Sequence, residues 1–233
     1  MSNESTEPMM YEDPDNPPPQ GALPVWIKVY TKPGDKTFQE ITSHPDAVAK
    51  NAYIWVFLAG MFSGLINNLC QVAPELGEVI PTGFFGVTGL VGAICGAPLA
   101  GLVSVIVFAI TTAIIHWAAR FFGGQASFDK IAYAFGAVAA PFSIVSALLI
   151  PFSAIPYLAF CTLPIILVGV VYVLYLEVAA IKAVYGFGWL ESVGTFFLPT
   201  ILLFCLCALV SLLFLRAIGP SVNDVFQEIQ RGL

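Results

Sequence analysis

The sequence predicts an all-α polytopic membrane helix bundle: five transmembrane helices, with the N-terminus cytoplasmic and the C-terminus on the opposite side. Three observations predict it. Of the 233 residues, 58% are hydrophobic and only 10% are charged, against roughly 25% charged in a soluble domain. Five apolar runs reach the ~20 residues that cross a ~30 Å hydrocarbon core. Lys and Arg gather on one side of the loops that alternate between these runs, and basic loops stay in the cytoplasm.

The elements follow in order. Residues 1–24 are rich in Pro, Glu, Asp, Asn and Ser, with Pro17, Pro18 and Pro19 in a row, the composition of a disordered cytoplasmic arm. They have neither the basic n-region nor the apolar core of a secretory signal, which leaves targeting to the first span. Residues 25–50 form a membrane-surface segment. Its apolar Trp26, Val29, Tyr30, Phe38 and Ile41 alternate irregularly with Lys28, Lys32 and Lys36 around Pro33-Gly34, with Trp26 and Tyr30 at headgroup level. Ser43-His44-Pro45-Asp46 reads as a helix start, with Ser43 as N-cap. The first span is Asn51–Ala73, closed by an acidic loop from Pro74 to Pro81.

The stretch from Phe84 to Trp117 is too long for one span. The preferred division places a helix over Ala97–Trp117 and an interfacial or partly re-entrant, glycine-rich segment over Phe84–Gly96; two short helices turning at Pro98 are the alternative. The third span runs over Ile131–Phe152, the fourth over Tyr157–Ala179 and the fifth over Phe196–Ala217, with a short polar tail over 218–233. Only Ser153-Ala154-Ile155 separates Pro151 from Pro156, so spans three and four form an antiparallel hairpin. With the N-terminus inside, seven Lys/Arg face the cytoplasm (Lys28, Lys32, Lys36, Lys50, Arg120, Lys130, Lys182) and Arg216 and Arg231 face the other side.

Composition also excludes functions. A net charge of −6 argues against nucleic acid, which is bound through basic patches. HExxH, GxSxG, Walker A and paired-aspartate arrangements are absent from the sequence, so hydrolases and nucleotidases lack their minimal parts; no enzymatic activity, cofactor or metal site is expected. Cys70, Cys95, Cys161, Cys205 and Cys207 lie in or beside apolar runs, where cysteine acts as a small hydrophobe. Glu177 reads as an interfacial carboxylate, and His116-Trp117 as interfacial residues without a relay of partners.

The spans carry small residues instead. Gly60/Gly64 and Gly92/Gly96 are GxxxG pairs, the third span has Gly136 among alanines before Pro141, and Asn67 and Asn68 lie in the first span. Such positions let helix backbones approach and bond across an interface. Pro98, Pro141, Pro164 and Pro199 place one breaker in each span except the first, and broken helices line sites in transporters. A small-solute transporter or channel subunit is therefore the alternative reading.

A turn between the second and third spans carries a further pattern. His116, Trp117, Arg120, Gly123, Gly124, Ser127 and Phe128, continued by Tyr133 and Pro141 and preceded by Pro33, Thr37, Phe38 and Ile41, resemble the Yip family of Ypt/Rab-interacting membrane proteins. The DLxGP element and GYS-type span start of many eukaryotic members are absent, the latter replaced by Ala132-Tyr133-Ala134, so the chain looks like the prokaryotic-type branch. The resemblance to that branch implies a five-span integral membrane protein; the polar arm, the basic-side loop and the small-residue helix faces point to a non-enzymatic scaffold, organiser or trafficking-like factor of Yip type, acting through contacts with lipid and with other membrane proteins or itself. The resemblance implies the bacterial cytoplasmic membrane, or an endomembrane with a small GTPase partner where the eukaryotic role applies. In the turn itself, the glycine pair and Ser127 serve as turn and helix cap, and the seven turn residues are the candidate docking surface.

Overall fold

The computed structural model describes residues 21–78, 83–153, 156–202, 204–205, 207–209 and 211, and among them the chain is helical, with no strand. The helices are α1 (Ala22–Thr31), α2 (Asp35–Ser43), α3 (Ala49–Glu78), α4 (Gly83–Phe121), α5 (Phe128–Ser153), α6 (Pro156–Tyr185) and α7 (Trp189–Leu209). Five stretches are long and apolar enough to cross a membrane: Ala49–Cys70, Val91–Phe121, Phe128–Ser153, Phe160–Tyr185 and Trp189–Leu209. Residues 1–20 and the tail expected over 218–233 lie outside the described residues.

α3 through α7 alternate in direction, and side chains tie their ends together. The Ala49 amide at the start of α3 donates to Asp129 Oδ1 at the start of α5, at 3.1 Å. His116 near the end of α4 shares a 2.6 Å hydrogen bond with the Tyr185 hydroxyl, the last residue of α6. Phe122, just beyond α4, lies against Gly194 in the first turns of α7. Two helix starts, two helix ends and the entry to α7 therefore meet at one end of the bundle.

Small residues set the interior spacing, because a helix backbone comes close only where no side chain intervenes. A methyl group added at Gly60 would collide with Ser104, and one at Gly64 with Ala100, which places the first GxxxG pair in the α3–α4 interface. Gly101 answers from α4, where a methyl would lie 2.9 Å from the Phe57 carbonyl oxygen. Gly136 does the same for α3 and α5, against Ala52 Cβ at 2.6 Å. Gly92 and Gly96 separate: Gly96 abuts the Asn68 amide, whereas Gly92 faces open space. Asn67 is exposed.

Several boundaries differ from the sequence expectation: the fifth span begins at Trp189 rather than Phe196, α6 continues past Ala179 to Tyr185, and three further differences have a visible cause. The division of Phe84–Trp117 does not occur: α4 passes through Pro98 as one helix. In a membrane helix, neighbouring side chains and local adjustment compensate the proline's missing donor, and of the glycines that suggested re-entrance Gly96 packs against Asn68 of α3. At 39 residues, α4 measures about 58 Å, far more than a ~30 Å core requires. Ser43 does not cap α3. It is the last residue of α2, its hydroxyl bonds back to the Gln39 carbonyl at 2.7 Å, and the α3 start is satisfied from α5 by Asp129. α3 also continues through Pro74 to Glu78, where an acidic loop was expected; residues 79–82 lie outside the described residues.

The stretch preceding the spans forms a helical hairpin docked on the bundle. Val25 and Val29 of α1 and Phe38 and Ile41 of α2 are fully buried, in one cluster with Ile131, Val138, Leu176 and Ile181 of α5 and α6. The spacings, i to i+4 and i to i+3, put each pair on one helix face. Burying each such side chain contributes about 1.5–3 kcal/mol. The Tyr30 hydroxyl donates to the Val138 carbonyl and the Tyr172 hydroxyl donates to the Tyr30 carbonyl, both at 2.8 Å. Lys28 pairs with Glu40 across the hairpin.

Candidate functional site

Among the described residues, the end of the bundle where the helix termini meet holds most of the charged side chains, and the turn from His116 to Phe128 lies at its centre. α4 stops there because of Gly123. Its φ of 88° belongs to the left-handed region that glycine enters without steric cost. The amide of Gly124 donates to the Ala119 carbonyl at 2.9 Å and that of Gly123 to the Arg120 carbonyl at 3.0 Å, the pair of bonds of a Schellman C-cap. α6 also ends on a left-handed glycine: Gly186 has φ 71°, and the amides of Gly186 and Phe187 both donate to the Lys182 carbonyl.

These two helix ends pack on each other. Gly124 is buried beneath two rings, and a methyl there would lie 2.6 Å from Tyr185 Cδ1, 2.9 Å from Phe187 Cζ and 3.0 Å from the Ala119 carbonyl oxygen. Tyr185 and Phe187 stack at 5.4 Å between centroids, and His116 meets Phe128 edge-on at 5.7 Å. The polar tips of the histidine and tyrosine bond to each other, which satisfies both where water is scarce.

Lys182 ties the hairpin to this layer. Its ammonium bonds the Asp35 carboxylate at the start of α2 at 2.5 Å and stands 4.9 Å above the Trp189 ring of α7. The start of α7 closes on itself, with the Gly188 amide donating to Glu191 Oε2 at 3.0 Å, an acid three residues into the helix that satisfies an end amide. An aromatic series, Tyr30, Tyr172, Tyr175, Trp189, runs from α1 across α6 to α7 with neighbouring centroids 5.9–6.4 Å apart. Burial is the main cause that raises the Tyr30 phenol above its ordinary pKa, followed by the negative charges of Glu177 and Tyr172. Glu177 itself is half-buried.

The seven expected turn residues divide by direction. His116, Gly124 and Phe128 point into the aromatic layer and hold the helix ends together. Trp117 and Arg120 are exposed, as are Gly123 and Ser127. Ser127 stands one residue before α5. Phe121 is 76% and Leu190 87% exposed, so apolar and basic groups lie side by side on this surface. Pro141 lies away from it, in an apolar groove of about 440 Å³ between α1, α5 and α6, opposite Gly169.

Sequence reasoning did not find Asp35, Tyr185, Phe187 or Trp189. Phe187 follows directly on Gly186 and Trp189 on Gly188, glycines whose place after an apolar run marked a helix end, and that was the available signal. Nothing local linked Asp35 to Lys182.

Residues 27–212 match the family model of the Yip1 domain. No curated protein matches the chain, and no solved structure does.

Proposed function

The chain belongs to the Yip1 domain family, and from that premise we propose that it is a non-enzymatic integral membrane scaffold, which recruits other membrane proteins or copies of itself through the end of the bundle built around the His116–Phe128 turn. One observation carries the reading: this end combines a rigid inner layer, His116–Tyr185 and Gly124 under Tyr185 and Phe187, with exposed Trp117, Arg120, Phe121, Trp189 and Leu190. Exposed aromatic and arginine side chains on a fixed frame are the composition of protein-binding hot spots. A cytoplasmic location for this end is supported by the positive-inside rule, with the seven basic residues from Lys28 to Lys182 assigned to it. In this reading the membrane is the bacterial cytoplasmic one, which the likeness to the prokaryotic-type branch supports.

Continuous helices favour this reading over a transporter. α4, α5 and α6 pass through Pro98, Pro141, Pro151 and Pro164 without interruption, whereas the transport sites built on proline use helices that are unwound.

Photo-reactive side chains placed at Trp117, Phe121 and Leu190, with Phe152 and Tyr157 as controls at the far end, test the proposal in native membranes. Discrete protein adducts from the first three positions and lipid adducts alone from the controls are expected. Lipid adducts alone at all five positions would overturn it.

A further inference from the structure

The charges on this end of the bundle do not balance. Asp35 pairs with Lys182, Glu40 with Lys28, and Asp46 lies beside His44. Asp129 holds the Ala49 amide and Glu191 the Gly188 amide. These five acids are thus engaged, while Lys32, Lys36, Lys50, Arg120 and Lys130 are exposed and make no ion pair among the described residues. Contacts bring these five cations to the same end. Lys32 and Lys36 flank the hairpin elbow beside Asp35, Lys50 and Lys130 adjoin the Ala49–Asp129 bond, and Arg120 is next to the α4 cap.

The twenty residues before Gly21 have the complementary composition: Glu4, Glu7, Glu12, Asp13 and Asp15, without a Lys or Arg. They are joined to the start of α1, and α1 runs toward the basic end. Tyr30 bonds at the level of Val138 and Tyr172, and the next helix reaches Lys182 at the tip of α6. This segment has the composition of a chain that stays in water. It has the reach. From Gly21 to Lys32 along α1 is about 16 Å at 1.5 Å per residue, and nine residues of proline-rich chain from Glu12 to Gly21 extend to about 28 Å.

We propose that the basic end is an intramolecular docking surface and that the acidic segment from Glu4 to Asp15 is its occupant, held by charge pairing with Lys32, Lys36, Lys50, Arg120 and Lys130. Tethering keeps the local concentration of the segment in the millimolar range, so weak pairs suffice, and any acidic partner or anionic lipid must displace it. The inference does not require that a partner docks at this end, so its test and that of the proposed function fail independently.

Zero-length carbodiimide cross-linking of the full chain in zwitterionic nanodiscs, mapped by mass spectrometry, reads the arrangement directly. The Asp35–Lys182 and Glu40–Lys28 pairs are internal positive controls. Amide links from the acids between Glu4 and Asp15 to Lys32, Lys36, Lys50 or Lys130 are expected, lost when salt near 1 M shortens the screening length to about 3 Å. They are also expected to be lost in the E4Q/E7Q/E12Q/D13N/D15N variant, which keeps both control links. Control links without any arm link would overturn the proposal. Arm links found only between isotopically heavy and light copies would overturn it as well, assigning the surface to a second copy. Persistence of the arm links at high salt would remove its electrostatic basis.

Discussion

Gly123 and Gly124 are neighbours needed for different reasons, and only one of the reasons is local. Gly123 has the left-handed φ of 88° with nothing near its missing side chain, so a substitution there costs backbone strain alone, about 1 kcal/mol for alanine and less for asparagine, which tolerates that region. Gly124 has the opposite problem: an added methyl meets Tyr185, Phe187 and a backbone oxygen, overpacking of about 1–3 kcal/mol. Thermal unfolding in detergent should therefore rank wild type close to Gly123→Asn, then Gly123→Ala, then Gly124→Ala. A Gly124→Ala protein that melts with wild type would show that the two rings yield and that the α4 and α6 ends are not locked. The turn was legible because glycine after an apolar run marks a helix end. The close approach at Gly124 was not, since its partners lie on the far side of two intervening helices.

At the scale of elements, the hairpin α1–α2 shows why a readable pattern can stay hidden. Val25 and Val29, then Phe38 and Ile41, each follow helical spacing, but Pro33-Gly34 between them resets the phase, so a single window across 25–41 sees irregular alternation. The five spans were legible because length and apolarity suffice to identify them. The α4 continuity was not, because proline and glycine carry the same letters whether they break a helix or let a neighbour approach, and only the position of Phe57 and Met61 against Gly101 decides. Ser43 fell to the same ambiguity, as its capping pattern competes with the possibility that the amide is satisfied from elsewhere, here by Asp129. The docking of α2 rests on Phe38, which has 0% exposure. Phe38→Ala should cost about 3–5 kcal/mol, spent locally: amide exchange over residues 22–43 is expected to quicken while residues 128–147 remain protected. Lys182→Ala should loosen the same segment by no more than about 1 kcal/mol, because the pair with Asp35 is partly solvated. Exchange that quickens equally in α5, or not at all, would contradict an independently docked hairpin.

For the whole molecule, the strongest constraint is that five helices alternate about one shared end. The Ala49–Asp129, His116–Tyr185 and Phe122–Gly194 contacts place the α3 start, α4 end, α5 start, α6 end and α7 start together, so loops at Gly124 and Gly188 must share a compartment with Asp46, and the connection from α5 to α6 is expected in the other. Compartment reporters fused after Asp46, Gly124, Ala154 and Gly188 should read in, in, out, in. The two parts of that pattern test different physics. A disagreement between Gly124 and Gly188 would deny the antiparallel α5–α6 pair, and with it the packing of Gly124 under Tyr185 and Phe187. A uniform inversion would leave every helix contact intact and overturn only the orientation, which depends on the charge of Lys28, Lys32, Lys36, Lys50, Arg120, Lys130 and Lys182 rather than on packing. It would also move the docking end out of the cytoplasm, while the pairing of the acidic segment with the basic surface, an interaction within one compartment, would stand.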